Sequence, residues 1–465
     1  MNSQARARAV VLGGSIAGTL AARVLAESYQ DVVVVDRDKV LDVRVARKGA
    51  PHAHHAHGLH ARGHLILEDL FPGLTDEVVA AGAFTTDLGR IRWIFNGRRI
   101  KLTDTGLVTV APSRPVLENH VRNRVAALPN VTYLEEHDIL RLVTTGDHRR
   151  VTGVVVRRQA DDTEVVLDAD VVVDTTGRGS RTPAWLDELG YERPEEERVK
   201  VGLAYTTRHY RVGPEPFDGA QSIVPVASPA HPRGAFFGQL GGGVCVLSLT
   251  GILGDHPPTD PEGFLEFART LPVPDVYDAV RDAPALEDPV SFRFPASVRR
   301  RYERLTRFPD GLLVLGDAFC SFNPVYGQGM TVAALEVLAL RELLRAGDVA
   351  PLPFFAAISK VINAPWDISV GGDLSYPGVE GPRPAKVKIA NAYMARLQYA
   401  ATKDPKVTEA FMRVAGLIDP PEALFKPGTV RRVLRHAFRT PEPGPSWLDT
   451  APPAGARPKD LPEAA

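Results

Sequence analysis

Cysteine is almost missing from this chain, which carries two thiols, Cys245 and Cys320, in 465 residues. They lie far apart and without metal-ligand spacing, so neither a disulfide framework nor a cysteine-based zinc site is expected, and a reducing cytoplasm fits. Charge of one sign is not in excess either. The 55 Lys and Arg and 56 Asp and Glu leave a formal net charge of -1, which removes the basic face that a nucleic-acid partner needs. A secretory signal is not expected, because the apolar run after Met1 to Arg8, Ala9 to Leu12, is too short for an h-region and reads as a strand. Residues 234 to 254 carry no charge, yet Gly241, Gly242 and Gly243 divide them. Phe236, Phe237 and Leu240 lie on one side and Val244, Val246 and Leu247 on the other, the pattern of a soluble hairpin and not of a membrane span. Internal repeats are absent.

What is present is enough apolar sequence, 44% of residues, to bury a large core divided into two or three units. Ala9 to Leu12, a helical stretch from Ser15 to Glu27 with Ile16, Leu20 and Val24 on one stripe, and Val32 to Val35 form a βαβ unit. Strand patterns recur at 131–134, 151–157, 164–167 and 171–173. From about Lys200 the alternation of Val201, Leu203, Tyr205 and Thr207 predicts antiparallel strands. A buried strand, Leu312 to Leu315, and a long helix, Met330 to Arg345, stopped by Gly347, resume the α/β unit. Val407, Phe411, Val414 and Ile418 at helical spacing predict a helical C-terminal part. The expected boundaries are 1–189 for the first part of the α/β domain, 190–295 for a sheet-based substrate domain, 296–347 for the return segment, 348–440 for C-terminal helices and 441–465 for a proline-rich mobile tail.

Gly13-Gly14-Ser15-Ile16-Ala17-Gly18 falls between the first strand and its helix, where a dinucleotide pyrophosphate needs close backbone approach and free N–H groups. Ser15 replaces the second glycine of G-x-G-x-x-G. Asp36 closes the second strand 23 residues after Gly13, where a carboxylate can grip an adenosine ribose, and Arg37 follows it. Arg47 is suited to neutralising a phosphate. Five histidines fall between His52 and His60. With no carboxylate or cysteine in the run a metal site is not expected; His55 and His57 are expected to donate hydrogen bonds near the cofactor, and His52 and His60 to be exposed. Arg114 begins a helix whose macrodipole disfavours a cation there, which points to an anionic partner; an exposed pair with Glu118 is the plainer alternative. Gly316 to Met330 suits a flavin: Asp317 at a strand end can accept from a ribityl chain, while Pro324, Gly327, Gly329 and Met330 lead into a helix whose N–H groups can stabilise negative charge. The cofactor expected from the two segments together is FAD.

With these segments in this order, the chain resembles the group A flavoprotein monooxygenases over most of residues 8 to 345. Gly13 to Gly18, Pro51 to Leu59, Gly177 to Pro183 and Asn323 to Met330 are similar to the squalene-epoxidase-like and bacterial polyether-epoxidase branch. The resemblance implies an α/β fold with a glutathione-reductase-like, Rossmann-type FAD domain and an inserted sheet. It also implies FAD reduced by NADPH or NADH, directly or through a partner flavin reductase, then oxidised by O₂ to a C4a-hydroperoxide that epoxidises or hydroxylates a lipophilic, alkene-bearing natural-product intermediate. Thr176 stands where related hydroxylases carry the Asp of an Asp-Gly pair, and Cys320 replaces the histidine of their late motif. The alternatives are a flavin halogenase, a polyene reductase and a non-catalytic flavin- or metal-binding protein. Arg431, Arg432, Arg435, His436 and Arg439, with Val433, Leu434 and Phe438 opposite, suggest a helix that docks by its oily face or meets an acidic carrier protein or a membrane surface.

Overall fold

The computed structural model describes residues 6–347, 349–439, 441, 442 and 444. Its centre is a parallel five-stranded sheet in the order Leu312–Val314, Val171–Asp174, Arg6–Leu12, Tyr29–Val35 and Val131–Leu134. Val10 and Val11 point to opposite faces and are both 0% exposed, so both faces are covered. This is why the central strands read as unbroken apolar runs, without alternation. Ile16–Leu25 connects the first two strands and packs on Gly329–Ala346, which in turn packs on Pro351–Asp373. An antiparallel three-stranded sheet, His137–Thr144, Val151–Arg158 and Glu164–Asp168, lies against the Val171–Asp174 strand.

A second, eight-stranded sheet is built around the 16-residue strand Glu196–Arg211. Most of its strands come from within 196–300, but Arg92–Phe95, Arg98–Arg99 and Cys320–Ser321 join from outside that range. The glycine hairpin forms as expected: Arg233–Gly241 pairs antiparallel with Val244–Gly251, and Gly241, Gly242 and Gly243 all have positive φ. Pro261–Arg269 and Asp275–Val280 bury Phe264, Phe267 and Val276 against this sheet. Among the described residues no helix is long and apolar enough to cross a membrane.

The C-terminal part is helical, with Pro351–Asp373, Ala385–Ala401, Pro405–Ala415 and Pro427–His436. The last of these does not dock by the whole expected apolar stripe. Only Val433 is buried, Arg432 is held by Asp404 at 2.9 Å, and Leu434 and Phe438 stay exposed. The expected tail lies outside the described residues except at 441, 442 and 444. There it is tethered: the Gly444 N–H donates to the Asn96 carbonyl at 2.8 Å and Arg98 donates to that of Glu442 at 2.7 Å.

Leu20 joins the first helix to the parallel sheet and is fully buried. Leu20→Ala is expected to lower the unfolding free energy by about 2–5 kcal/mol through lost transfer energy and the cavity left behind, measured by urea titration.

Candidate functional site

The turn after the first strand is shaped by contacts that only glycine tolerates. Gly13 has φ +102°, and a Cβ there would lie 2.9 Å from the Thr175 carbonyl oxygen; one on Gly18 would lie 1.8 Å from the Gly13 carbonyl. The Gly14 N–H donates to Asp36 Oδ2 at 2.7 Å, and the Asp38 N–H to Asp36 Oδ1 at 2.9 Å. Thr175 donates to the carbonyls of Leu12 and Gly13. Ser15 precedes the helix without capping it through its side chain; its hydroxyl instead accepts from Arg47 Nη2 at 2.9 Å. The first-turn N–H groups therefore have no side-chain cap competing for them, as an anion-binding turn requires. Ile16 is buried, whereas Ala17 remains partly accessible.

Glu118 organises the charges beside this turn. Its carboxylate is 2% exposed and faces three guanidinium groups: Arg114 Nε at 2.8 Å, Arg122 Nη2 in a short contact, and Arg47 Nη2 at 3.7 Å. Arg122 continues to the Gly14 carbonyl at 2.9 Å and the Val40 carbonyl at 3.0 Å. Burial raises the Glu118 pKa, but Arg114 and Arg122, assisted by Arg47, override it and hold the group down at about 2. Arg114 is thus neither an exposed surface arginine nor free of Glu118. It begins the helix Arg114–Ala126 half-buried and shares the knot. Arg37, in contrast, is exposed and stands apart from the Asp36 contacts.

The late segment meets the first turn directly. A Cβ on Gly316 would lie 2.9 Å from that of Ala17. Gly316 donates its N–H to Glu336 Oε2 at 2.5 Å; burial pushes the Glu336 pKa up to about 8, and Asp317 adds to the rise. Asp317 is reached by solvent while protein surrounds it closely. Its carboxyl pKa is raised by this confinement and pulled back by Arg114, Arg178 and Arg300. Pro324, Gly329 and Gly58 are accessible in the same way while Gly316, Asn323, Gln328 and Met330 are buried. No atom lies within 4 Å of the position a Gly329 Cβ would take, and Gly327 has φ +66° beside His60. An open, glycine-lined cleft running from an anion-binding turn to an accessible carboxylate fits the expected FAD. Asn323 donates to Asp373 Oδ1 at 2.8 Å, and Tyr326 donates to the same oxygen at 3.3 Å; burial lifts Asp373 to about 7.

The histidine run is not a surface loop. It passes beneath the eight-stranded sheet as a short 3₁₀ turn, Pro51–His54, so His52 and His60 are half-buried and the expectation that they are exposed is overturned. His52 packs against the His57 and Phe292 rings, and His60 Nε2 donates to the Tyr326 carbonyl at 2.8 Å, tying the run to the late segment. His57 accepts from Arg114 at Nε2 (3.1 Å), so its Nδ1–H is the donor to the His55 carbonyl (2.9 Å). His55 Nδ1 meets Thr207 Oγ1 at 2.8 Å. Burial lowers the pKa of both rings to about 3, helped by Arg114 at His57 and by His54 and His209 at His55, so each is neutral at pH 7.

Sequence reasoning did not assign Arg122, Thr175, Glu336 or Asp373 to this neighbourhood, and it weighed Glu118 only as a surface partner. Glu336 left a signal, as the one charge between Met330 and Leu340. Glu118 did too, lying four residues after Arg114 and four before Arg122. Glu118→Gln, which leaves three guanidinium groups without their shared anion, is expected to cost about 3–5 kcal/mol at pH 7. Because the folded-state pKa is depressed, the stabilisation is complete above the ordinary glutamate value of 4.5 and is lost as pH falls toward about 2. The wild-type advantage in urea unfolding should therefore narrow across that window.

Comparison with known proteins gives the chain its family and its fold. Residues 9–198 match the family described as FAD dependent oxidoreductase. The chain is 34% identical over 456 residues to Protein Rv3254 of Mycobacterium tuberculosis, covering 93% of this chain and 94% of that one. The flavin-dependent brominase Bmp2 shares the fold with a TM-score of 0.63 at 15% identity, over 92% of this chain and 98% of that one. PqsL, a probable FAD-dependent monooxygenase from Pseudomonas aeruginosa, does so with a TM-score of 0.59 at 17% identity, over 87% and 98%. The α/β architecture, with its Rossmann-type FAD fold, mixed sheets and C-terminal helices, is that of the flavin monooxygenases and halogenases, and the chain belongs to one family with Protein Rv3254 and carries the FAD dependent oxidoreductase match over residues 9–198.

Proposed function

We propose that this oxidoreductase is a monooxygenase that transfers one oxygen atom of O₂ to a lipophilic, alkene-bearing substrate, by epoxidation or hydroxylation. The observation that carries the reading is a small cavity between the cofactor cleft and the eight-stranded sheet. Phe236, Leu240 and Val246 of the glycine hairpin line it together with Ala53, Ala111 and Pro112, and His55 and His57 reach it from the cleft side. The lining is mixed, with Ser113, Gln239, His54 and His209 beside the apolar residues; its apolar side suits a lipophilic group held by burial, next to chemistry that must be kept from water. In this reading Gly13 to Gly18, Asp36 and Arg47 bind the dinucleotide portion of FAD, and Arg114, Asp317, Pro324, Gly327, Gly329 and Met330 hold its flavin end. FAD, reduced by NADPH or NADH directly or through a reductase, supplies the activated oxygen.

The chain's own part is to bind, orient and exclude water. His57, neutral and fixed by Arg114 and the His55 carbonyl, offers a positioned ring that takes no proton near pH 7. His55 is likewise neutral, so neither of these two imidazoles brings a charge to the cavity. Uncharged rings at these positions suit an alkene, which presents no group to deprotonate.

Two outcomes test this reading. Gly18→Val and Asp317→Ala should each purify without the yellow colour of the wild type, because one fills the anion-binding turn and the other removes the cleft carboxylate. Retention of stoichiometric FAD by Gly18→Val would misplace the dinucleotide site. Incubation of the holoenzyme with NADPH or NADH, isotopically labelled O₂ and a panel of lipophilic alkenes should yield a product carrying one labelled oxygen. A halogenated product in the presence of halide, or a saturated product without label, would replace the monooxygenase by one of its rivals.

A further inference from the structure

Glu287 is surrounded unlike most of the chain's paired carboxylates. Where Asp36, Glu118, Glu197 and Asp255 meet arginine, its Oε1 meets two imidazoles: His54 Nε2 at 3.0 Å and His209 Nδ1 at 2.5 Å. Among the described residues no arginine or lysine nitrogen lies within 4.0 Å of this carboxylate. We propose that His54, His209 and Glu287 bind one divalent transition-metal ion of the zinc class.

Three features support the assignment. The donor set is mixed, two imidazole nitrogens and a carboxylate oxygen, as in open zinc sites with three protein ligands. The three donor atoms lie within 4.8 Å of one another. A tetrahedral ion with bonds of about 2.0–2.2 Å needs donors about 3.4 Å apart; Glu287 Oε1 lies 3.0 Å and 2.5 Å from the two ring nitrogens, so the carboxylate has to draw back by about 0.4–0.9 Å to admit the ion. The ligands are also held in place. Leu286 donates its N–H to the His209 carbonyl at 2.9 Å, and Arg208 Nε donates to the Glu287 backbone carbonyl at 2.7 Å, which leaves the carboxylate free to turn toward the rings. His54 is delivered by the 3₁₀ turn Pro51–His54.

The carboxylate that the histidine run lacks thus comes from beyond Val280, and a second imidazole comes from the long strand Glu196–Arg211. His54 and His209 also line the cavity under the glycine hairpin, so a fourth coordination position opens toward it. A water or an anionic substrate oxygen is the chemistry such a position takes. His57 is not a ligand, since both of its ring nitrogens are engaged, by the His55 carbonyl and by Arg114; His55 Nδ1 is taken by Thr207 and its ring stands outside the cluster of His54, His209 and Glu287.

The test is titration of the metal-stripped holoenzyme, FAD retained, with Zn²⁺ followed by calorimetry, and with Co²⁺ followed by ligand-field absorption at wavelengths longer than those of flavin. One equivalent per chain and a tetrahedral Co²⁺ spectrum are expected. His209→Ala and Glu287→Gln should each weaken binding by more than the about 10–100-fold typical of losing an outer-shell partner, whereas His137→Ala should leave it unchanged. Glu287→Gln keeps the shape of the side chain and decides the matter if His209→Ala does not fold. Substoichiometric uptake, an octahedral spectrum, or equal affinity in wild type and Glu287→Gln would overturn the site.

Discussion

The negative charge of Glu118 is the constraint to which the cofactor end of the molecule is tied. Burying a carboxylate is expensive, and it is tolerated here because three arginines converge on it, each engaged elsewhere as well. Arg47 extends to Ser15 and to Asp36 and Asp38, Arg122 to the carbonyls of Gly14 and Val40, and Arg114 to His57. The turn, the carboxylate closing the second strand and the histidine run consequently take their positions from one cluster of ions. A change in that anion therefore reaches the turn, the second strand and the histidine run together.

The parallel sheet was legible because strands buried on both faces are written as apolar runs, and the glycine hairpin was legible because three consecutive glycines in the left-handed region serve few other purposes. The neighbourhoods of individual side chains were much less so. Nothing local in Pro51 to His60 tells that the run passes beneath a sheet built on a strand, Glu196–Arg211, far along the chain, and His52 and His60 therefore looked like surface residues. The meeting of His54 with His209 and Glu287 is set by tertiary packing, and no period or motif encodes it. Arg114 and Glu118 stand at helical spacing, but spacing does not distinguish an exposed pair from a buried one; only the addition of Arg47, from a different segment, makes the difference.

The two sheets meet at a narrow join. Arg299, 1% exposed, lies on the strand Val290–Arg300 and donates to Ser359 at 2.7 Å and Asn363 at 2.9 Å on the long helix Pro351–Asp373. The next segment returns to the parallel sheet, and Cys320–Ser321 then pairs back with Val298 and Arg299. The late cofactor segment is therefore fastened on one side to the α/β layer through Gly316 and Glu336 and on the other to the eight-stranded sheet. This double fastening holds the late segment between the two sheets by regular secondary structure on both sides.

The parallel sheet also has a consequence for biogenesis. Its edge strand, Leu312–Val314, pairs with Val171–Asp174, although well over a hundred residues separate the two in synthesis. On the ribosome, at about 5–20 residues per second, the earlier strand waits several seconds with an open edge, the kind of surface that recruits foreign strands. The three-stranded sheet laid against Val171–Asp174 is complete before that strand emerges, and it can shelter one face during the interval. Cofactor capture must come later still, since the cleft has no floor until Gly316 to Met330 has been made.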